Sequence, residues 1–225
     1  MNYALIVAGG SGKRMNNAVP KQFIELEGKP ILVHTIQKFL DFAPDIKLVV
    51  VLPATSIEEF KSTYFQGNEK SRVSFVGGGE TRFHSVQNGL LRIDEEGIVF
   101  IHDGVRPFVS ELVLERCYKT ASEFGNAVPY IDLKDSIRKL DEQGNMAVSR
   151  NEYKAIQTPQ TFDISAIKKA YQQAYRETFT DEASVFEAAG HQIQLVEGNE
   201  ENIKITTPQD LEIAKYLFRK EKLLV

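Results

Sequence analysis

The sequence predicts an α/β fold, with an open, mostly parallel β-sheet that carries helices on both faces. The first observation is a set of four short apolar runs rich in β-branched residues, at 3–8, 46–53, 72–76 and 98–103. Continuous apolar runs of this length are typical of strands buried on both faces. The second observation is that amphipathic helical patterns lie between these runs. Alternating strands and helices indicate a sheet built with crossover connections.

The first helix is predicted over residues 30–42, where apolar side chains fall largely on one face and Pro30 is a suitable first helical residue. Similar patterns predict helices at 56–66, 80–92 and 110–124. The last of these begins with Ser110, a residue type that commonly caps helix N-termini. Shorter elements follow towards the C-terminus, with helices predicted at 163–177, 181–190 and 208–220 and strands at 193–196 and 202–205.

The segment at about 132–153 differs from the rest of the chain. Polar and apolar residues alternate on either side of a DEQGN turn, which predicts a β-hairpin. Its strands are too polar for a buried pair, so we expect an arm that projects from the domain. Because an isolated hairpin is only marginally stable in water, packing against a second subunit would explain the arm. A surface hairpin folded onto its own domain is the alternative.

Length and composition predict a single domain with an ordinary core and exclude several classes of protein. The chain has 225 residues, of which 42% are hydrophobic and 26% are charged. The net charge of -4 argues against nucleic acid as the main partner. No apolar run approaches the roughly 20 residues of a membrane span, and no signal-peptide pattern is present. We therefore expect a cytoplasmic protein that binds neither nucleic acid nor membranes.

Polar, glycine-rich clusters directly follow three of the predicted strands. GGSGKR follows the first strand, GGGETR the third and HDGVRP the fourth. Ligands of open α/β sheets bind beyond the carboxyl ends of the strands, so the three clusters are expected to form one site.

The first cluster is not a standard phosphate-binding motif. The dinucleotide fingerprint needs a third glycine where Met15 stands, and the P-loop needs Ser or Thr where Arg14 stands. What remains is a loop of glycine N–H groups flanked by cations, which suits a polyphosphate. Lys21, seven residues after Arg14, is placed to bind the same ligand. An ordinary turn with solvated Lys and Arg side chains is the alternative.

Asp103 comes directly after a buried strand, facing the expected phosphate site. A carboxylate would repel phosphate unless a divalent cation lay between them, and Mg²⁺ is commonly held by one or two carboxylates plus phosphates. A cap or turn role is the alternative for Asp103, and pairing with an acid is the alternative for Arg106. Lys204 is a further candidate cation from the other end of the chain. The histidines show no paired metal-ligand spacing, and the one cysteine, Cys117, is expected to be a small buried side chain.

Seven motifs then occur in the order and spacing of a known family: AGGSGKRM, PKQF, GGGETRFHSV, HDGVRPF, QTPQTF, TDEAS and VEGNEENIKITTPQDL. Over residues 3 to 217 the chain resembles the 2-C-methyl-D-erythritol 4-phosphate cytidylyltransferases of the non-mevalonate isoprenoid pathway. The ribitol-5-phosphate cytidylyltransferases share the AGG opening, PKQF and VRPF. The half that contains TDEAS and VEGNEENIKIT is more similar to the isoprenoid enzymes. Gly9 and Val105 stand where that family often has alanine.

This resemblance implies a Rossmann-like sheet of the nucleotide-diphospho-sugar transferase type, Mg²⁺ dependence and a homodimer formed through the arm. The matching catalytic cations, which stabilise charge at the α-phosphate of CTP, are Arg14, Lys21 and Lys204, and Asp103 matches the Mg²⁺ ligand. We expect CTP to be bound by Ala8, Gly9, Gly10, Ser11, Gly12, Lys13, Gly79, Glu80, Ser85, Asp103 and Gly104. The residues expected to reach the phosphate of the polyol phosphate acceptor are Arg106, Ser136, Arg150 and Thr158. Several of these lie on the arm and are delivered across the dimer in the family; Ser136 replaces the usual threonine and keeps its hydroxyl.

The sequence has three alternative interpretations besides cytidylyl transfer to 2-C-methyl-D-erythritol 4-phosphate. An NAD-dependent oxidoreductase is disfavoured, because the third glycine is missing and no acidic residue clearly ends the second strand. A nucleotide sensor without activity is disfavoured because Arg14, Lys21, Asp103 and Lys204 are all present. Cytidylyl transfer to D-ribitol 5-phosphate is the alternative reaction, and the motifs leave the acceptor open between the two.

Overall fold

The computed structural model describes residues 2–10, 20–67 and 71–223, with side chains up to residue 220. In these ranges the strands are β1 Asn2–Val7, β2 Glu25–Leu26, β3 Lys29–Pro30, β4 Lys47–Leu52, β5 Val73–Gly77, β6 Ile98–Asp103, β7 Asn126–Asp132, β8 Ile137–Asp141, β9 Gly144–Val148, β10 Lys154–Ile156, β11 Gln160–Asp163 and β12 Leu195–Glu197. The helices are α1 Ile31–Phe42, α2 Ile57–Tyr64, α3 Arg82–Leu90, α4 Glu111–Phe124, α5 Ile164–Ala170, α6 Glu182–Ala188 and α7 Pro208–Leu223. Short 3-10 helices occur at Lys21–Phe23, Ala54–Ser56 and Arg150–Glu152.

The central sheet has the strand order β10-β7-β11-β6-β1-β4-β5, with β12 paired alongside β7. Strands β6, β1, β4 and β5 pair in parallel, as the four apolar runs predicted. Strand β11 runs antiparallel to both β6 and β7, and β10 runs antiparallel to β7. The α/β class with an open, mostly parallel sheet is thus confirmed.

Helices cover both faces of this sheet, which explains why the central strands are apolar throughout. Successive side chains of a strand point to opposite faces. In β1, Ile6 lies in a core with residues of α1 and α4, whereas Leu5 lies in a second core with residues of α3, α5 and α6. Both side chains are fully buried, so each face needs its own set of apolar residues.

The helix cap predicted at Ser110 is present, and the structure adds a second cap at Asp181. The Ser110 hydroxyl accepts a hydrogen bond from the Val113 N–H at 3.3 Å, and the helix ends at Gly125 in the left-handed conformation. Asp181 begins α6 with a reciprocal capping box that also uses Ser184. These caps satisfy backbone N–H groups that lack partners in the first turn of a helix.

Two predicted elements are wrong and one sheet region was missed. Residues 202–205 do not form a strand; the segment is irregular and contacts the sheet edge through the Ile205 N–H, which donates to the Val105 carbonyl at 3.0 Å. The helix predicted to reach residue 177 ends at Ala170. Strands β7 and β11 had not been predicted, because β7 contains Pro129 and its pairing with β11 joins segments distant in sequence.

The predicted hairpin is present as β8 and β9, which pair with each other and with no other strand of the described chain. Most of its side chains are exposed, including Leu140 at 78% and Met146 at 52%. This confirms a hairpin within the segment at 132–153, hereafter the arm. Of the described helices, none combines the length and the apolarity needed to cross a bilayer.

Candidate functional site

A cavity of about 420 Å³ lies at the carboxyl ends of β1, β5 and β6. The three polar clusters predicted to converge all contribute to it, together with Lys204 from the C-terminal part of the chain. Its lining residues are Val7, Ala8, Gly9, Gly10, Lys21, Gln22, Gly79, Glu80, Thr81, Arg82, Ser85, Asp103, Val105 and Lys204. Its volume suits a small-molecule ligand.

The first and third clusters are held together by extensions of the parallel sheet. The Ala8 N–H donates to the Val51 carbonyl at 2.9 Å, and the Gly104 N–H donates to the Val7 carbonyl at 2.9 Å. A Cβ on Gly104 would lie 2.9 Å from both Ala8 Cβ and Leu32 Cδ1. Glycine is therefore required there, although Gly104 itself is not among the cavity-lining residues.

The second cluster forms the opposite wall at the start of α3. The Gly79 N–H donates to Ser85 Oγ at 3.0 Å, and Thr81 caps the helix. A Cβ on Gly79 would lie 2.5 Å from His84 Cβ, so this close approach also requires glycine. The N-terminus of α3 thus meets the cavity, where its dipole favours a negatively charged ligand.

Asp103 and Glu80 are the acidic residues that line the cavity, and three cations surround the Asp103 carboxylate. Lys204 Nζ lies 2.9 Å from Oδ2, Arg106 Nε lies 3.3 Å from the same oxygen, and Arg82 Nη2 lies 3.4 Å from Oδ1. Burial alone would raise the pKa of the Asp103 carboxyl, but Arg82, Lys204 and Arg106 together hold that pKa well below its usual value. Asp103 is therefore ionised at neutral pH, and Lys204 reaches it from 101 residues away, as the proposed single site required.

Arg82 forms an ion pair with the buried Glu182 that the sequence motifs did not predict. Arg82 Nη2 donates to Glu182 Oε2 at 2.9 Å, and Nη1 donates to Oε1. Glu182 is fully buried and also accepts a hydrogen bond from the Tyr171 hydroxyl at 3.3 Å. Burial would lower the pKa of Arg82, but Glu182 and Asp103 hold it above its ordinary value. Both residues lie within quoted motifs, GGGETR and TDEAS, yet no local signal pairs positions 100 residues apart.

Gln22 is a second residue whose role at the cavity was not predicted from the sequence. It follows Lys21 in the 3-10 helix and its side chain is buried. Its amide nitrogen donates to the carbonyl oxygens of Ala8 at 2.8 Å and Gly10 at 3.2 Å. The only signal in the sequence was its place beside Lys21 in PKQF.

Thr158 and Arg106, two of the residues predicted to reach the acceptor, lie next to Asp103 and are not among the cavity-lining residues. Thr158 Oγ1 accepts from the Asp103 N–H at 3.1 Å, and it lies 3.1 Å from His102 Nδ1. Arg106 donates to the Asn202 carbonyl at 2.7 Å in addition to its pairing with Asp103. The proposed acid pairing of Arg106 is thus present, while the acceptor-binding roles stay predictions.

His102 and Cys117 are packing residues in the sheet region behind the site. His102 is fully buried, its Nε2 lies 3.0 Å from the Arg106 carbonyl, and burial lowers its pKa to about 4. It is therefore neutral at neutral pH. Cys117 is buried as predicted, and burial raises the pKa of its thiol to about 12, so it is an unreactive side chain in the folded protein.

Ser136 and Arg150, the other two residues predicted to reach the acceptor, lie on the exposed arm. The Arg150 guanidinium donates to the Lys134 carbonyl, and neither residue lines the cavity of its own chain. Their acceptor-binding roles stay predictions. The predicted ligands Ser11, Gly12, Lys13 and Arg14 lie outside the described residues.

The described residues supply a site for an anion rather than a preformed metal cluster. Within them, no group of three or more His, Cys, Asp or Glu side chains could hold a metal ion. The cavity instead combines backbone turns, the start of α3, the cationic side chains of Lys21, Arg82 and Lys204, and the carboxyl groups of Glu80 and Asp103. This arrangement can bind a polyphosphate and neutralise charge that develops on it.

Comparison with known proteins gives one consistent family. The family model described as IspD, 2-C-methyl-D-erythritol 4-phosphate cytidylyltransferase, matches residues 2–220. A protein of that name from Phocaeicola vulgatus is 46% identical over 215 residues, covering 96% of this chain and 98% of the relative. Another from Bacteroides fragilis is 47% identical over 214 residues, covering 95% and 98%.

Solved structures agree with these sequence relatives. The 4-diphosphocytidyl-2C-methyl-D-erythritol synthase of Anaerococcus prevotii matches with a TM-score of 0.82 at 25% identity, covering 97% of this chain and 96% of that one. The 2-C-methyl-D-erythritol 4-phosphate cytidylyltransferase of Thermus thermophilus matches with a TM-score of 0.77 at 28% identity, covering 97% and 100%.

Proposed function

The chain belongs to the 2-C-methyl-D-erythritol 4-phosphate cytidylyltransferase family, and on that premise we propose that it transfers the cytidylyl group of CTP to 2-C-methyl-D-erythritol 4-phosphate. The products are CDP-methylerythritol and pyrophosphate, in the synthesis of isoprenoid precursors. The observation that carries the proposal is the meeting of Lys204, Asp103 and the glycine turn in one cavity. We propose that residues 1–225 act as one nucleotidyltransferase domain.

The reaction is an in-line displacement at phosphorus. A phosphate oxygen of the acceptor forms a bond to the α-phosphorus of CTP, and the bond from that phosphorus to the bridging oxygen of pyrophosphate breaks. The attacking oxygen already carries negative charge at neutral pH, so the step needs no general base. This agrees with His102 being buried, neutral and hydrogen-bonded in the packing beneath the site.

The main barrier is electrostatic, because two polyanions must come together around one phosphorus. Lys21 and Lys204, with Arg14 outside the described residues, are proposed to stabilise the charge that develops on the α-phosphate. Asp103 keeps Lys204 in place through their 2.9 Å ion pair, so the ammonium group is positioned before the substrate arrives.

The nucleotide is proposed to bind along the two glycine walls of the cavity. Ala8, Gly9, Gly10 and Gly79 bring the backbone within reach of a base and a ribose, and Ser85 braces the Gly79 turn through its hydroxyl. The remaining proposed CTP contacts are Glu80, Asp103, Gly104, Ser11, Gly12 and Lys13, of which the last three lie outside the described residues.

Asp103 is proposed to hold Mg²⁺ together with phosphate oxygens. The donor fits, because the Asp103 carboxyl lines the cavity and its depressed pKa keeps it ionised. A single carboxylate completed by phosphates is a common arrangement for Mg²⁺. When bound, the ion would neutralise phosphate charge and polarise the phosphoryl oxygens.

The acceptor phosphate is proposed to be bound partly by a second copy of the chain. Ser136 and Arg150 are on the arm, outside the cavity of their own chain, and a homodimer formed through the arm would bring them to the neighbouring site. Arg106 and Thr158, which lie next to Asp103, would then support the same acceptor from behind the cavity wall. The single cysteine and the charged, water-soluble substrates support a cytoplasmic location.

The decisive experiment compares acceptors. The purified protein is incubated with CTP and Mg²⁺ plus either 2-C-methyl-D-erythritol 4-phosphate or D-ribitol 5-phosphate. We expect pyrophosphate release and a CDP-alcohol with the first acceptor, and at least about tenfold lower kcat/KM with the second. Equal or better turnover of ribitol 5-phosphate would overturn the acceptor assignment, and no pyrophosphate release with either would overturn the proposed activity.

A further inference from the structure

Gln22 connects two parts of the cavity wall that are far apart in sequence. Its side chain is only 1% exposed. Its amide nitrogen donates to the carbonyls of Ala8 and Gly10, at 2.8 and 3.2 Å, across 14 and 12 residues. These two carbonyls lie on either side of Gly9, so one side chain holds the turn of Ala8, Gly9 and Gly10.

The chemistry of the contact requires an amide. Carbonyl oxygens only accept hydrogen bonds, so the NH₂ end of Gln22 must face them, and it uses one N–H on each. Gln22 and Ala8 are both buried, so water cannot cheaply replace the bond to the Ala8 carbonyl, whereas Gly10 is exposed. A carboxylate of the same shape would instead place a negative charge against two carbonyl dipoles.

Holding the Ala8 carbonyl also sets the direction of the Gly9 N–H. In a trans peptide the C=O and N–H groups point in opposite directions, and the peptide between Ala8 and Gly9 is trans. The Gly9 N–H therefore points away from Gln22. Over the described part of the chain it donates to no protein acceptor, so it remains available to a ligand of the cavity that Gly9 lines.

The turn is also closely packed on the side where a Cβ of Gly9 would stand, so the peptide has little freedom to rotate. A Cβ on Gly9 would lie 3.3 Å from Ser85 Oγ and 3.4 Å from Gly78 Cα. The turn is thus held both by the hydrogen bonds of Gln22 and by its packing against the second glycine cluster. Gln22 also follows directly after Lys21 in the 3-10 helix, so the same contact sets the place of that helix against the turn.

We propose that Gln22 is a positioning residue for the nucleotide: it orients the turn of Ala8, Gly9 and Gly10 so that the Gly9 N–H faces CTP, and it couples the turn to the helix that carries Lys21. The inference rests on the proposed function. It predicts that a change at Gln22 alters nucleotide binding more than acceptor binding, although Gln22 itself transfers no group.

The test uses two variants and a matched control. Gln22→Glu keeps the shape and removes both donors, and Gln22→Met keeps the length and removes all polarity. Gln173→Glu is the control, because the Gln173 amide also donates to two carbonyls, of Ala170 at 2.9 Å and Val185 at 3.0 Å, away from the cavity lining. CTP binding is measured by titration calorimetry without acceptor, and KM and kcat by pyrophosphate release.

We expect Gln22→Glu to raise the Kd and KM for CTP about tenfold or more, with the acceptor KM within about twofold of wild type. Gln173→Glu should lower Tm without weakening CTP binding. A folded Gln22→Glu protein with unchanged CTP affinity, or an equal loss of affinity in Gln173→Glu, would overturn the proposal. If Gln22→Glu does not fold, Gln22→Met decides by the same criteria.

The experiment separates this inference from the proposed function. Wild-type protein that binds CTP and releases pyrophosphate, alongside a Gln22→Glu variant that binds CTP equally well, would contradict only the role of Gln22. Wild-type protein that does neither would contradict both.

Discussion

The cavity and the arm differ in how far their side chains find partners within one chain. Around the cavity, buried side chains such as Gln22, Glu182 and Thr158 each have partners within the same chain. On the arm, the strands pair only with each other in the described chain and leave Leu140 and Met146 exposed. An isolated two-stranded hairpin is at best marginally stable, and exposed apolar side chains favour association.

This difference indicates that the two halves of the proposed site have different origins. The proposed nucleotide half is assembled by folding of one chain, since the buried Asp103 carboxylate is ion-paired with Lys204, Arg106 and Arg82 of the same chain. The proposed acceptor half includes Ser136 and Arg150, which do not line the cavity of their own chain. Changes near the cavity should therefore affect chemistry and stability, while changes on the arm should affect acceptor binding and association.

The largest effect is expected for Lys204→Met. Removing the ammonium group from the cavity should lower turnover on the order of 10²–10³, as for the loss of one preorganised charge-stabilising donor. Pyrophosphate release at saturating substrates measures it. The matched control is Lys215→Met, since Lys215 and Lys204 have side chains equally exposed at 38% and each pairs with a carboxylate. Near-wild-type turnover of Lys204→Met would remove this residue from the proposed mechanism.

An effect of intermediate size is expected on the free energy of unfolding when the pH is lowered, because of His102. Burial lowers its pKa from 6.5 to about 4, so between pH 7 and pH 5 the unfolded chain binds a proton that the folded chain does not. Stability present above pH 6.5 is therefore lost as the pH falls, by about 2 kcal/mol at pH 5. Urea unfolding at both pH values measures it.

The variant His102→Asn, which cannot titrate in this range, tests the assignment. Its free energy of unfolding should fall less between pH 7 and pH 5 than that of the wild type, by the same about 2 kcal/mol. An unchanged pH dependence in the variant would show that other groups cause the loss. Burial of His102 behind the cavity would then not be the cause of the stability lost at low pH.

A smaller and more selective effect is expected for Arg150→Ala on the arm. Loss of one charge-assisted contact to the acceptor phosphate should raise the acceptor KM about tenfold, with the CTP KM within about twofold of wild type. The control is Arg138→Ala, also on the arm, whose guanidinium contacts Asn145. Steady-state kinetics with each substrate varied in turn measures both constants. If the CTP KM rose as much as the acceptor KM, the arm would not be specific to the acceptor half.

Local signals predicted those parts of the fold that depend on short stretches of chain. The runs that became β1, β4, β5 and β6 were identified because strands buried on both faces must be apolar throughout. The cap at Ser110 and the hairpin of the arm were identified from residue types at fixed spacing. The predicted strand at 202–205 failed because alternation of apolar and polar residues does not supply a neighbouring strand.

Composition, apolar runs and motif order were enough by themselves to determine the α/β class, the edge of the sheet that carries the site, and the presence of Lys204 and Asp103 in it. Only the tertiary structure decided that Arg82 pairs with Glu182 and that Gln22 holds the turn of Ala8 and Gly10. The physical reason is that strand and helix patterns arise from neighbouring residues, whereas a buried polar group takes whichever partner the packed chain brings within hydrogen-bonding distance. That partner can be 100 residues away, as for Arg82 and Glu182, and nothing in the spacing of either motif specifies it.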